Sequence, residues 1–162
     1  MTWHREGPSG VRIATKADAD AVFALVMASA AAGHTIGNVS PAAVRTAVDE
    51  AFEPSSMTVV ALAEINGEAV GMVALRLAKM WYSDETGHYW TELGLYVREG
   101  ARASRCAVKL LRFVRWWSAE TAMPVYFSLA PPVDFERKEK LFNRFAKRVG
   151  SLYRFDAGKE IA

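Results

Sequence analysis

Two arginines, Arg102 and Arg105, lie beside the start of a helical pattern, a placement suited to holding an anion. From Ser104 onward Ala107, Leu110, Leu111, Val114 and Trp117 recur at helical spacing, while Arg105, Lys109 and Arg112 share the opposite face. Residues 92–97, Glu-Leu-Gly-Leu-Tyr-Val, alternate and are rich in apolar and aromatic side chains, which predicts a half-buried strand with a bulge at the isolated Gly94. Residues 98–103 between them read as a short basic loop. A strand that feeds a helix through so tight a loop aims unpaired backbone N–H groups and the positive end of the helix dipole at one point. With two guanidiniums beside it, that point suits a pyrophosphate. Glu92 opens the strand leading to it, and can be read either as a general base or as a solvated strand-end carboxylate.

Other reactive side chains have plainer readings. Cys106 stands in an electropositive turn where a thiolate is favoured, but no His or Asn occupies a recognisable partner motif, so it is expected to pack under the loop. His34 and His88 fall in polar stretches and are expected to be exposed, with a substrate role as the alternative. Residues 80–89 read as irregular, and Trp81, Tyr82 and His88 there are candidates for holding a substrate. Trp116 and Trp117 are adjacent and must point to different faces of one helix, one into the core and the other available to a second copy of the chain.

These residues need a scaffold, and the pattern supplies one. Residues 1–10 read as a loose leader and 11–14 as a short strand. Thr15 and Asp18 have capping-box spacing ahead of a helix reaching Ala31. Ser40-Pro41 starts a second helix carrying Val44, Ala47, Val48, Ala51 and Phe52. Runs at 57–64 and 69–77 flank Asn66-Gly67, a type I′ hairpin signal. A strand is predicted over 123–130. A basic helix follows from Asp134 to Gly150, with Leu141, Phe142, Phe145 and Val149 on its buried side, and then a last strand at 151–155. Lys140, Arg144 and Lys147 belong to that separate helix and are expected to act independently of the Arg102–Arg105 loop. The order strand, two helices, three strands, helix, strand, helix, strand predicts one α/β (α+β) domain over 1–162, with a mixed sheet covered by helices on both faces.

From about Val11 to Phe155 this order resembles the GNAT superfamily of N-acetyltransferases, whose cofactor loop reads [Q/R]-x-x-G-x-[G/A] between the fourth strand and the next helix. Here it reads Arg102-Ala103-Ser104-Arg105-Cys106-Ala107, with Arg105 where the family has Gly. An R-x-S-R-x-A loop, with Trp-Tyr-Ser-Asp-Glu and Glu-Leu-Gly-Leu-Tyr-Val before it, is similar to a branch common in phage and prophage genomes. The resemblance implies a mostly antiparallel sheet whose fourth and fifth strands splay around the pantetheine arm of coenzyme A. It implies acetyl-CoA held by the loop 102–107 and by Leu95, Tyr96 and Val97, with a main-chain N–H near Tyr96 or Val97 as oxyanion donor. It implies Glu92 as base in a direct attack by a small-molecule or protein amine within a ternary complex. The Tyr that often protonates the leaving thiolate is replaced by Ala146, leaving Tyr153 or a water for that task.

Composition fits this reading. The chain of 162 residues is 51% hydrophobic and 23% charged, which is globular, and no apolar run is long enough to span a membrane or resembles a secretion signal, so a cytoplasmic protein is expected. A single cysteine excludes an internal disulfide, and no paired ligand spacing suggests a metal. Residues 1–97 carry 6 Lys and Arg against 11 Asp and Glu, whereas residues 98–162 carry 14 against 7. A basic second half can serve a phosphorylated cofactor or a nucleic acid, but no helix-turn-helix, zinc or RNP signature supports the latter. A third class is a related fold that binds acyl-CoA without turnover.

Overall fold

Asn66 and Gly67 both have positive φ, 52° and 81°, as a two-residue type I′ turn requires. They join β2 (Thr58–Ile65) to β3 (Glu68–Lys79), which pair antiparallel over the whole length of β2. The structure, a computed structural model, describes residues 10–34, 38–80, 82, 87–128 and 135–149. The apolar runs in β2 and β3 are nearly continuous because helices cover both faces of the sheet. Val59, Ala61, Ala63, Val73 and Leu75 belong to one core, and Val60, Leu62, Met72 and Ala74 to the other.

On the second of these faces lie α1 (Ala19–Ala31) and α2 (Pro41–Ala51), which bury Val22, Leu25 and Val48. The Ser40 hydroxyl accepts from the Ala43 N–H at 3.4 Å with Pro41 opening the helix, so α2 starts where its sequence signal lies. Ahead of α1, the Thr15 N–H and hydroxyl both donate to the Asp18 carboxylate, at 2.8 and 3.0 Å. Arg12 in β1 (Val11–Ile13) forks onto both Asp18 oxygens at 2.8 Å and also reaches Glu64 in β2. One guanidinium thereby ties the first strand, the entry to the first helix and the hairpin together. It holds the Asp18 carboxyl well below the ordinary carboxylate range.

The opposite face is covered by α3 (Cys106–Thr121), which buries Leu110, Leu111, Phe113, Val114 and Trp117. Trp117 stacks on Phe113 and meets Trp90 edge-on at 5.3 Å, while the Trp90 indole donates to Thr121 at 3.2 Å. Trp116 also contacts Phe113 and Trp117 and packs partly buried on the same core. Adjacency in a helix turns the two rings by about 100°, but rings of this size still touch one another.

With β4 at His88–Val97 and β5 at Val125–Tyr126, the sheet order is β1-β2-β3-β4-β5, antiparallel except for the last pair. In β4 (His88–Val97) the side chains of Trp90, Leu95 and Val97 all reach the α3 core. Strict alternation cannot put residue 90 and residues 95 and 97 on one face, so one extra residue must intervene. The register supplies it: Leu75 pairs with Glu92 and Ala74 with Gly94, leaving Leu93 unpaired and exposed. The bulge predicted at Gly94 is present.

Several predicted boundaries move. His88 and Tyr89 begin β4 rather than sitting in a loop, because they pair with Lys79 and Ala78. The basic loop is a 3-10 turn over Glu99–Ser104, and α3 opens at Cys106, two residues late, since Arg105 takes a left-handed conformation that a helix cannot include. β5 is only Val125–Tyr126, and α4 (Phe135–Phe142) stops well before Val149, which is exposed. Asp134 and the strand predicted at 151–155 lie outside the described residues.

Candidate active site

Among the described residues β4 and β5 are partners at two positions, Trp90 with Val125 and Thr91 with Tyr126. Beyond them the strands part, and a cavity of about 580 Å³ fills the fork between the second half of β4, Phe127 and Ser128 after β5, the start of α3 and one face of α4. That volume is ordinary for a small-molecule site.

Glu92, the first β4 residue past the last pair, lines this cavity. Burial pushes its carboxyl above the ordinary value, opposed by a hydrogen bond from the Ser128 main chain across the fork. A half-buried carboxylate of raised basicity, anchored by one donor and facing a cavity, has the environment of a general base.

Leu95, Tyr96 and Val97 continue along the wall. The Arg98 N–H donates to Val70 at 2.8 Å on the β3 side. N–H directions alternate along a strand, so those of Val97 and Leu95 point the other way, into the fork. The bulge makes this so, because Trp90, on the even side of it, also directs its N–H towards β5, at the Pro124 carbonyl. The main-chain donors available for a developing oxyanion are thus at Leu95 and Val97, with Tyr96 turned to β3.

At the other end of the cavity stand Arg102, Ala103, Arg105 and Ala107. Arg105 has φ 62° and ψ 14° immediately before α3. It adopts the backbone shape that Gly takes without penalty, at a cost of roughly 1 kcal/mol. In that conformation its side chain is a cation at the cavity wall. The first intrahelical bond into Arg105 comes from Lys109, and no side chain caps the helix, so the leading N–H groups of α3 are left for a ligand. Ser104 and Cys106 contribute differently. The Ser104 hydroxyl donates to the Ala101 carbonyl and lies 2.9 Å from the Cys106 sulfur, and that sulfur is fully buried. What these two residues can present to an anion is main chain.

The cavity also gathers residues that sequence spacing did not associate with the loop. His34 lies 3.1 Å from Arg102, 3.5 Å from Lys138, and against the Tyr96 ring, so it bridges the end of α1, the loop and α4. Arg137, Lys138, Lys140 and Arg144 face the same space. The independence expected for Lys140 and Arg144 is therefore overturned: Phe142 packs on Phe127 at 5.3 Å, which brings α4 over the loop. A basic stretch about 40 residues downstream gave no signal of that approach beyond the charge asymmetry itself.

Other candidates lie elsewhere. Tyr82 is 71% exposed and His88 pairs with Lys79 at the start of β4, roughly 13 Å of strand from Glu92. Neither lines the cavity. Trp81 and Tyr153 are outside the described residues. Ala146 is exposed past the end of α4. Among the described residues no three His, Cys, Asp or Glu side chains gather as a metal site would need, and no helix is long and apolar enough to cross a membrane.

No family model and no curated protein sequence matches the chain. Solved structures do. A probable acetyltransferase superposes with a TM-score of 0.71 at 21% identity, covering 93% of this chain and 99% of its own. A ribosomal-protein-alanine N-acetyltransferase from Brucella melitensis biovar Abortus 2308 gives 0.66 at 16% identity, covering 90% and 98%. A predicted acetyltransferase from Clostridium acetobutylicum, solved with acetyl-CoA, gives 0.67 at 12% identity, covering 94% of each chain. At these identities the likeness is one of architecture, and this chain has the fold of the GNAT-type acetyltransferases.

Proposed function

We propose that this protein is an acetyl-CoA-dependent N-acetyltransferase of the branch with an R-x-S-R-x-A loop. The observation that carries the proposal is that one cavity holds both an uncapped helix start flanked by Arg102 and Arg105 and, along β4, a half-buried carboxylate of raised basicity. The residues fit the cofactor. Cations and the leading N–H groups of α3 suit its pyrophosphate, and Leu95, Val97, Ala107 and Phe127 give the fork an apolar lining for a pantetheine arm.

Acetyl-CoA supplies an activated carbonyl carbon and a thiolate leaving group. Glu92 accepts the proton that an ammonium acceptor must lose before its nitrogen can attack. The Leu95 and Val97 N–H groups face the fork where negative charge on the carbonyl oxygen would develop. Formation of the C–N bond accompanies loss of the C–S bond, and the thiolate needs no dedicated acid near neutral pH, since a thiol pKa is about 8.5. That accounts for a site in which Ala146 offers no hydroxyl. The acceptor is a small-molecule or protein amine, entering from the side of Glu92.

Thermal unfolding tests the cofactor half. Acetyl-CoA at 100 times its dissociation constant adds about 2.7 kcal/mol to stability, which raises the Tm by several degrees. Thiol release during incubation with a panel of primary amines tests the transfer half. An unchanged Tm in millimolar acetyl-CoA would remove the basis of the proposal.

A further inference from the structure

A second concavity, of about 490 Å³, opens next to the first and is lined by Arg105, Val108, Lys109, Arg112 and Arg144. Arg105, Val108, Lys109 and Arg112 are spaced so that they form one stripe along α3, and Arg112 lies roughly 10 Å of helix beyond Arg105. Arg144 closes the stripe from the turn after α4, and Arg105 and Arg144 border both concavities. Four cations thus converge with no carboxylate among the lining residues. Among the described residues none of the four is in an ion pair, although Arg148, four residues past Arg144, pairs with Glu139. Cations gathered without counter-charges repel one another, and an anion bound between them relieves that repulsion. The carboxylate and the N–H groups that serve acyl transfer all lie in the other cavity, so this groove has no part in the chemistry.

We propose that the groove binds the ribose 3′-phosphate of coenzyme A through Lys109, Arg112 and Arg144, as a second anion site separate from the pyrophosphate loop. The proposal rests on the reading that the neighbouring cavity takes acetyl-CoA. The ligand must present two anionic centres, one at the helix start and another several ångströms away along α3, and coenzyme A carries its phosphates in that arrangement. The site then selects coenzyme A over its 3′-dephospho form and over other nucleoside diphosphates.

Calorimetric titration of wild type and Lys109→Gln/Arg112→Gln with coenzyme A, 3′-dephospho-coenzyme A and single-stranded DNA decides the matter. Wild type is expected to bind coenzyme A at least tenfold more tightly than the dephospho form, and the double variant to lose that preference while binding the dephospho form as wild type does. The retained affinity also shows that the variant is folded. Equal binding of the two nucleotides by wild type would overturn the groove assignment alone. Binding of neither would overturn the acetyl-CoA reading as well. DNA that displaces coenzyme A and binds more weakly to the double variant would overturn the proposal in favour of a nucleic-acid surface.

Discussion

The β2–β3 hairpin and the β4–β5 fork belong to one sheet but are built on opposite plans. In the hairpin every residue of β2 has a partner in β3, and both faces are buried under helices. In the fork two pairs hold the strands, and among the described residues the remaining edge of β4 has no strand partner. Paired backbone and buried apolar area make the first region stable, whereas unpaired N–H groups and a carboxylate in a cavity are liabilities for folding that become useful once a ligand satisfies them. The two regions also treat carboxylates differently. Asp18, under the Arg12 fork, is held in its charged form, whereas burial of Glu92 raises its carboxyl above the ordinary range.

The largest expected departure between the two regions is catalytic. Glu92→Gln should lower turnover by roughly 10² to 10⁴, the worth of a general base, with coenzyme A affinity unchanged. Steady-state rates on an identified amine check this, and a loss under tenfold across the pH range would move the base elsewhere. Leu62→Ala, at a fully buried hairpin position, should act the opposite way. It should cost about 2 to 5 kcal/mol in denaturant unfolding, with the rate per folded molecule preserved.

At the loop the two plans meet in a single residue. Arg105→Glu should weaken coenzyme A binding by about 2 to 3 kcal/mol, since it replaces a charge-assisted contact with repulsion. Arg105→Gly should also bind less tightly, yet gain about 1 kcal/mol in folding stability by removing a left-handed non-glycine residue. A glycine variant that is both destabilised and unimpaired in binding would contradict the role given to this position.

The smallest effect is in the pH dependence of stability. The folded pKa of Glu92 lies above its unfolded value of about 4.3, so the folded state binds more protons in the interval between them. Stability therefore falls as pH rises through that interval. Glu92→Gln should remove this slope and be as stable as wild type or more so above it. For Asp18 the sign is reversed: its contribution is present above the unfolded pKa of about 3.9 and is lost as pH falls. Asp18→Asn should thus be destabilising at neutral pH, and the difference should fade in acid. Urea titrations at several pH values measure both.

What the sequence determined alone was whatever depends on neighbours in the chain. The Asn66-Gly67 turn, the Ser40-Pro41 helix start, the bulge at Gly94 and the buried faces of α1 and α3 are local consequences of backbone sterics, capping and periodicity. The strand-to-helix junction at 98–106 was legible for the same reason, since such a turn and the helix start after it are made from consecutive residues. The tertiary structure decided the rest, because it depends on which distant segments are brought together. The placement of His34, Ser128 and the cations of α4 around the loop follows from packing between helices and strands up to about a hundred residues apart. The lengths of β4 and β5 depend on partner strands, which no propensity specifies. That Glu92 is desolvated rather than a solvated strand end was likewise undetermined in the sequence, because desolvation is set by the walls that fold around a group and not by the group itself.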